Sequence, residues 1–297
     1  MPRNRSEADP RYVAARRVLL DALEALAPHG RAVIVAGAQA VYLHTGLSEI
    51  GIAPYTTDGD LALDPALLGD EPELEAAMRN AGFELLEPRP GRPEPGVWVA
   101  TATVDGERLL IPVDLIVPEG AASGGGRRGA RLGPHGRRAA RRAVGLEAAL
   151  VDHSSMTVAA LDVADTRSFE VEVAGPAALL VAKAHKIQDR LGSARPGRLD
   201  DKDAADVYRL MQATSPIEIA ERLAELRRHE IAGPATEAAI AYLAELFGRR
   251  NGEGVRMATR ALRLAIPEAQ VSTLATSYIE RMAGALDALR AAGDEPA

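Results

Sequence analysis

Hydrophobic positions in the first part of the chain change period repeatedly, alternating helical and extended spacing. Over residues 11–27 (RYVAARRVLLDALEALA) apolar side chains return at helical intervals, with Ala14, Val18, Ala22 and Ala25 on the inward face. Pro28 to Gly30 end that helix. Residues 32–36 (AVIVA) read as a short buried strand, Gly37 turns the chain, and 38–44 read as a short helix. A strand is predicted at 61–63, and a helix at 72–81, with Pro72 in its first turn and Gly82 just past its end. Residues 97–103 and 108–117 alternate as paired strands about an Asp105-Gly106 turn.

Residues 119–142 are rich in glycine and arginine, lack a hydrophobic period, and read as a long loop. Two more strands are expected at 156–161 and 169–173. From Pro176 the texture becomes helix after helix, at 176–191, 200–212, 216–228, 235–248, 254–264 and 270–291. The pattern predicts an α+β chain. A first domain over 1–175 carries a mixed sheet with flanking helices, and an all-α domain follows over 176–297.

At 297 residues the chain can bury a core in each of two modest domains. Aromatics are only 3% of it, so those cores are aliphatic. No run approaches the ~18 apolar residues of a membrane span, and the polar N-terminus (MPRNRSEADP) lacks a secretory h-region. The absence of cysteine excludes disulfides, thiolate chemistry and cysteine metal sites. A cytoplasmic protein without membrane attachment is the expectation. A net charge of -7 speaks against wholesale wrapping of nucleic acid, while local patches can still bind phosphate. Only three of 35 basic residues are lysine, and Lys183, Lys186 and Lys202 fall close together. Such clustering suggests positions where a compact ammonium serves and a guanidinium does not.

The candidate chemistry centres on Thr57-Asp58-Gly59-Asp60-Leu61-Ala62-Leu63. In an extended strand Asp58 and Asp60 share one face while Leu61 and Leu63 take the other. Two such carboxylates repel unless a cation lies between them, and Mg²⁺ suits that place because it takes oxygen ligands and keeps open positions. Asp114 adds a third acid inside the apolar run Ile111-Pro112-Val113-Asp114-Leu115-Ile116-Val117, where a charge is costly unless paired or metal-bound. Upstream, Val35-Ala36-Gly37-Ala38-Gln39 places a glycine between a strand and a helix start, a geometry whose N–H groups and dipole receive phosphate.

On the 176–191 helix, Leu179, Lys183 and Ile187 are spaced by four, so Lys183 lies on the apolar stripe. On the next helix Asp203 shares a stripe with Val207, Leu210 and Met211. Two readings follow: a buried Lys183–Asp203 pair that ties the helices, or a lysine neutralising phosphate charge with Asp203 orienting it. Lys186 is a second candidate for nucleotide contact, and Asp206 a solvated or structural residue. Arg127, Arg128, Arg131, Arg137, Arg138, Arg141 and Arg142 crowd the central loop. They are either a phosphate-binding surface, with Arg137, Arg138, Arg141 and Arg142 as RNA contacts, or a solvated loop.

Gly37-Ala38, then Thr57-Asp58-Gly59-Asp60, then Asp114 resembles the signature of the polymerase-β-like nucleotidyltransferase superfamily. More narrowly, the chain resembles the AbiEii/MenT group of toxin-type nucleotidyltransferases, whose C-terminal helices are matched by Leu179-Leu180-Val181-Ala182-Lys183 and Lys202-Asp203-Ala204-Ala205-Asp206. The resemblance spans residues 31–212. Ala38 stands where the family carries Gly or Ser, and the segment from Gly37 to Asp58 is longer than usual.

It implies a polymerase-β-like catalytic domain, with Asp58, Asp60 and Asp114 holding two Mg²⁺ ions. Gly37, Ala38, Thr57 and Lys186 would contact an NTP, and Lys183 and Asp203 would assist catalysis. The implied acceptor is a tRNA 3′ end, with a cognate antitoxin as partner. Two alternatives stay open: transfer to a small molecule of the antibiotic type, and a non-catalytic binding module of the same fold.

Overall fold

The computed structural model describes residues 8–46, 56–123, 128–193 and 201–293. The expected Arg127 and the predicted terminal residues 294–297 lie outside them. The chain is α+β, with a mixed sheet and flanking helices. It divides into two compact units: Met1–Leu43, Ala53–Ala143 and His153–Ala174 form one, and His44–Ile52, Val144–Asp152 and Gly175–Ala297 the other. Among the described residues no helix is long and apolar enough to cross a membrane.

The first unit opens with α1 (Pro10–Leu26), whose N-cap Asp9 accepts from the Arg11 amide at 2.8 Å. It continues through β1 (Val33–Ala36), α2 (Gly37–Thr45), β2 (Gly59–Leu63), α3 (Leu74–Asn80) and β3 (Glu84–Leu85). Then come β4 (Val97–Val104), β5 (Glu107–Pro118), β6 (Arg141–Ala143), β7 (His153–Ala159) and β8 (Ser168–Ala174). The sheet runs β3-β4-β5-β2-β1-β8-β7, with β6 added to the end of β5. β1 pairs antiparallel with β2 and parallel with β8, and β2 lies parallel to β5. Every residue of β1 is buried, as its unbroken apolar run requires of a strand covered on both faces. α1 covers β2, β4 and β5 with Leu19, Leu20 and Leu23. Trp98 of β4 is fully buried, its indole N–H donating to the Ala139 carbonyl at 2.9 Å.

The second unit is helical: α4 (Pro176–Leu191), α5 (Lys202–Ala213), α6 (Pro216–Arg227), α7 (Gly233–Phe247), α8 (Glu253–Leu262) and α9 (Glu268–Gly293). α9 packs on α5, α6, α7 and α8. Proline at the first turn of α4 and α6, and Ser215 capping α6, mark starts that the pattern had placed at the same residues.

Two differences from the sequence reading have local causes. The expected loop over 119–142 ends in β6, which pairs Ile116 with Arg141 and Pro118 with Ala143. A three-residue strand of Arg-Arg-Ala has no hydrophobic alternation to announce it. Val144–Asp152, read as part of the first domain, belongs to the helical unit. Asp152 fixes it there: its Oδ2 accepts from the Ala178 amide in the first turn of α4 at 2.9 Å, and its Oδ1 from Arg222 Nε at 2.9 Å.

Replacing Asp152 by Ala should remove both interactions and lower stability by about 2 kcal/mol. Urea unfolding followed by circular dichroism measures it, and a loss within a few tenths of wild type would deny Asp152 this capping role.

Candidate functional site

The site begins as a register. Parallel pairing sets Asp60 of β2 beside Asp114 of β5, and antiparallel pairing sets Asp60 opposite Ala36 of β1. Ala36, Asp60 and Asp114 therefore lie in one row across three neighbouring strands, and Gly37 follows Ala36 directly. Gly37 has φ 64°, which admits glycine readily, and a Cβ built there would lie 1.9 Å from Asp60 Oδ2. The glycine lets the chain turn from β1 into α2 and leaves room for the Asp60 carboxylate.

Asp58 lies just before β2, half-buried, rather than inside the strand. The Thr56 hydroxyl donates to its Oδ1, and its carbonyl accepts from Gln39 Nε2 at 3.2 Å. Ala38 is buried at the start of α2, and Thr57 is half-buried.

Asp114 feels all of this. Burial raises its pKa to about 6; Arg141 opposes the rise, and the charges of Asp60 and Asp58 add to it. Arg141 places both Nε (3.1 Å) and Nη2 (2.6 Å) on Asp114 Oδ2. Its backbone is held by β5 and by Gly96, where a Cβ would lie 2.2 Å from Arg141 N. At φ 72°, Gly96 is also in the left-handed region.

Four of the six described arginines of the basic loop, Arg128, Arg138, Arg141 and Arg142, meet carboxylates. Arg138 Nη2 lies 3.0 Å from Glu75 Oε1, and Arg142 Nη2 lies 2.6 Å from Glu119 Oε1. Arg128 pairs with Glu94 at 3.1 Å. Of the four arginines expected to meet RNA, only Arg137 is seen without a carboxylate among the described residues. Sequence shows the charges of such a loop but not their partners.

In the helical unit Lys183 is buried and donates to Asp203 Oδ1 at 2.7 Å and Asp206 Oδ2 at 2.6 Å. Arg190 also bonds Asp203, and Lys186 Nζ, partly exposed, lies 3.4 Å from it. Burial alone would raise the Asp203 pKa, but Lys183, Lys186 and Arg190 hold it well below the usual carboxylate range. Burial likewise opposes the Lys183 charge, yet Asp203 and Asp206 drive its pKa well up. This is the geometry of a pair that ties α4 to α5, with Asp206 as a second acid.

Two residues at the site escaped the sequence reading. Arg16 of α1 and Gln39 of α2 are both buried, and Arg16 Nε donates to Gln39 Oε1 at 2.7 Å. The available signal was an arginine on the inward stripe of α1, four residues after Tyr12 and four before Leu20.

Can these acids hold a divalent ion? Among the described residues no three His, Asp or Glu side chains close into a ready ligand shell. The donor chemistry nevertheless fits: hard oxygen ligands, adjacent and mutually repelling, with Asp60 in no ion pair among the described residues. Arg141 is the competing cation, and an ion using Asp114 Oδ2 would displace it.

Fold and site together define an α+β protein with an acidic row on a mixed sheet beside a strand–helix glycine turn. No protein-family model matches the chain, and no curated protein matches it. Among solved structures, JHP933 from Helicobacter pylori aligns with 97% of this chain and 100% of its own, at 10% identity and a TM-score of 0.45.

Lys183→Met should lower stability by about 3 kcal/mol or more, because Asp203 and Asp206 stay buried without their ammonium. The triple variant K183M/D203N/D206N should recover most of that loss. Denaturant melts of both variants check it, and equal losses would remove the buried charges as the cause.

Asp114 carries a pH prediction. Its folded pKa of about 6 lies above an ordinary carboxylate's ~4. Between those values the native state holds a proton that the unfolded chain releases, so this group's contribution to stability falls as pH rises through the window. Arg141→Met removes the opposing cation and should move the midpoint higher. A ¹³C NMR titration of the Asp114 carboxyl reads both, and an unmoved midpoint in R141M would exclude Arg141 as its counter-charge.

Proposed function

We propose that the chain is a Mg²⁺-dependent nucleotidyltransferase with a polymerase-β-like catalytic domain, transferring an NMP from an NTP to an acceptor hydroxyl. The observation that carries this reading is the side-by-side placement of Asp60 and Asp114, with the charge of Asp58 reaching the same carboxyl. The glycine turn into α2 adjoins that row, and the order of these residues resembles the AbiEii/MenT pattern.

Asp58, Asp60 and Asp114 are the residues that would hold the metal. When bound, two divalent ions neutralise a triphosphate and favour in-line displacement at phosphorus. The remaining work belongs to the chain. The first turn of α2, from Gly37, leaves N–H groups without intrahelical partners, and these suit a phosphate. The acceptor oxygen bonds to the α-phosphorus, the bond to the bridging oxygen breaks, and pyrophosphate leaves with that electron pair. The acceptor's proton passes to Asp114 at Oδ1, the oxygen that Arg141 leaves open.

The acceptor class divides two readings. Family resemblance favours a tRNA 3′ end, within a toxin paired with an antitoxin in the cytoplasm. The pairing of Arg138, Arg141 and Arg142 with carboxylates favours a small-molecule acceptor, because it engages three of the four arginines expected to meet an RNA.

Incubation with each labelled NTP, plus either total RNA or a panel of amino- and hydroxyl-bearing small molecules, separates the two. Asp58→Asn or Asp60→Asn should abolish label transfer by at least a hundredfold while the fold persists, roughly 2.7 kcal/mol of barrier. Transfer at wild-type rate in either variant would strike that residue from the site, and no transfer from any NTP would end the nucleotidyltransferase reading.

A further inference from the structure

Arg16 presents an unusual charge. It is 3% exposed, and no carboxylate pairs with it among the described residues. Its three bonds go to neutral oxygens: Gln39 Oε1 from Nε at 2.7 Å, the Ala159 carbonyl from Nη1 at 3.0 Å, and the Tyr12 hydroxyl from Nη2 at 3.0 Å. Burying a guanidinium without a counter-charge is expensive, and an apolar side chain of similar length would fill the space at lower cost. Its retention needs a use that the core alone does not supply.

The use is visible one bond further on. A guanidinium has only donors, so the Gln39 amide must turn its oxygen toward Arg16. That choice points Nε2 the other way, and there it donates to the Asp58 carbonyl at 3.2 Å. Gln39 is itself 1% exposed, so no solvent competes for either end of the amide. The result is a directed series, from Arg16 through Gln39 to the main chain of Asp58, joining α1, α2 and the residue leading into β2.

We propose that Arg16 and Gln39 are positioning residues that hold the Asp58 main chain and thereby aim its carboxylate at the row formed by Asp60 and Asp114. The proposal rests on the metal-site reading above, since it assigns Asp58 a ligand's task. Arg16 acts through its charge, which fixes the orientation of the amide. Gln39 acts through having a donor and an acceptor on one side chain. Glutamate at 39 separates these two properties: it would still accept from Arg16, now as a buried ion pair, but it would set an oxygen against the Asp58 carbonyl.

The test uses the full chain and Mn²⁺ alone as probe, with affinity read by electron paramagnetic resonance and backbone hydrogen exchange followed over residues 56–60. Gln39→Glu should melt at or above the wild-type temperature, exchange faster over 56–60, and bind Mn²⁺ about tenfold more weakly, the worth of roughly one hydrogen bond. Gln39→Met should weaken binding similarly, and Arg16→Met added to it should weaken binding no further, because the two act in series. Wild-type affinity or unchanged exchange in Q39E would overturn the proposal, as would additive losses in the double variant. If wild type takes up no Mn²⁺ and D58N behaves alike, the metal reading fails. Exchange over 56–60 in Q39E then decides by itself whether Gln39 holds Asp58.

Discussion

Neighbouring strands in a sheet run about 4.8 Å apart, so residues in parallel register present side chains at closer quarters than two carboxylates accept without help. Asp60 and Asp114 stand in that relation on β2 and β5. Much of the first unit answers to it. Gly37 has no Cβ because Asp60 occupies that space, and its positive φ turns β1 into α2 at the same point. β6 brings Arg141 onto Asp114, and Gly96 can be nothing larger because the backbone of Arg141 lies against it. Burial above all, with the charges of Asp60 and Asp58 added, raises the Asp114 pKa to about 6 against the pull of Arg141.

The helical unit treats buried charge differently. Asp203 and Asp206 share Lys183, and Asp203 also meets Arg190 and Lys186. A single compact ammonium meets two carboxylate oxygens here, at 2.7 and 2.6 Å. This gives a packing reason for lysine in a chain that otherwise prefers arginine, and Lys186 joins the same acid from one turn on. Two of the three clustered lysines, Lys183 and Lys186, thus meet the same acid, Asp203.

Most of the architecture was legible because the hydrophobic pattern and the packing agree. The strands at β1, β4, β5 and β8 and all six helices after Pro176 sit where periodicity places them. Asp114 was legible as an acid inside an apolar run. What sequence could not show is pairing across distance. Arg138 finds Glu75 63 residues away, Arg141 finds Asp114 27 away, and Arg142 finds Glu119 23 away, so a loop that reads as a basic surface is mostly spoken for. β6 was hidden because three residues carry no period. Gln39 was hidden for another reason: one amide in a short apolar helix looks like any other until its two neighbours are known.

The two charge clusters differ in how their acids are met. In the helical unit Asp203 and Asp206 each have a cation within ion-pair distance, and Asp203 sits below the ordinary carboxylate range as a result. In the sheet unit the balance is reversed. Arg141 occupies one oxygen of Asp114, yet Asp114 still titrates above that range, and Asp60 beside it has no ion pair among the described residues. Burial and the neighbouring acids together outweigh that one arginine, on hard oxygen donors at a sheet row. Arg16 pairs with none of these acids, since its three bonds end on neutral oxygens. Its bond to Gln39 serves instead to hold Asp58, the acid whose chain position no strand register fixes.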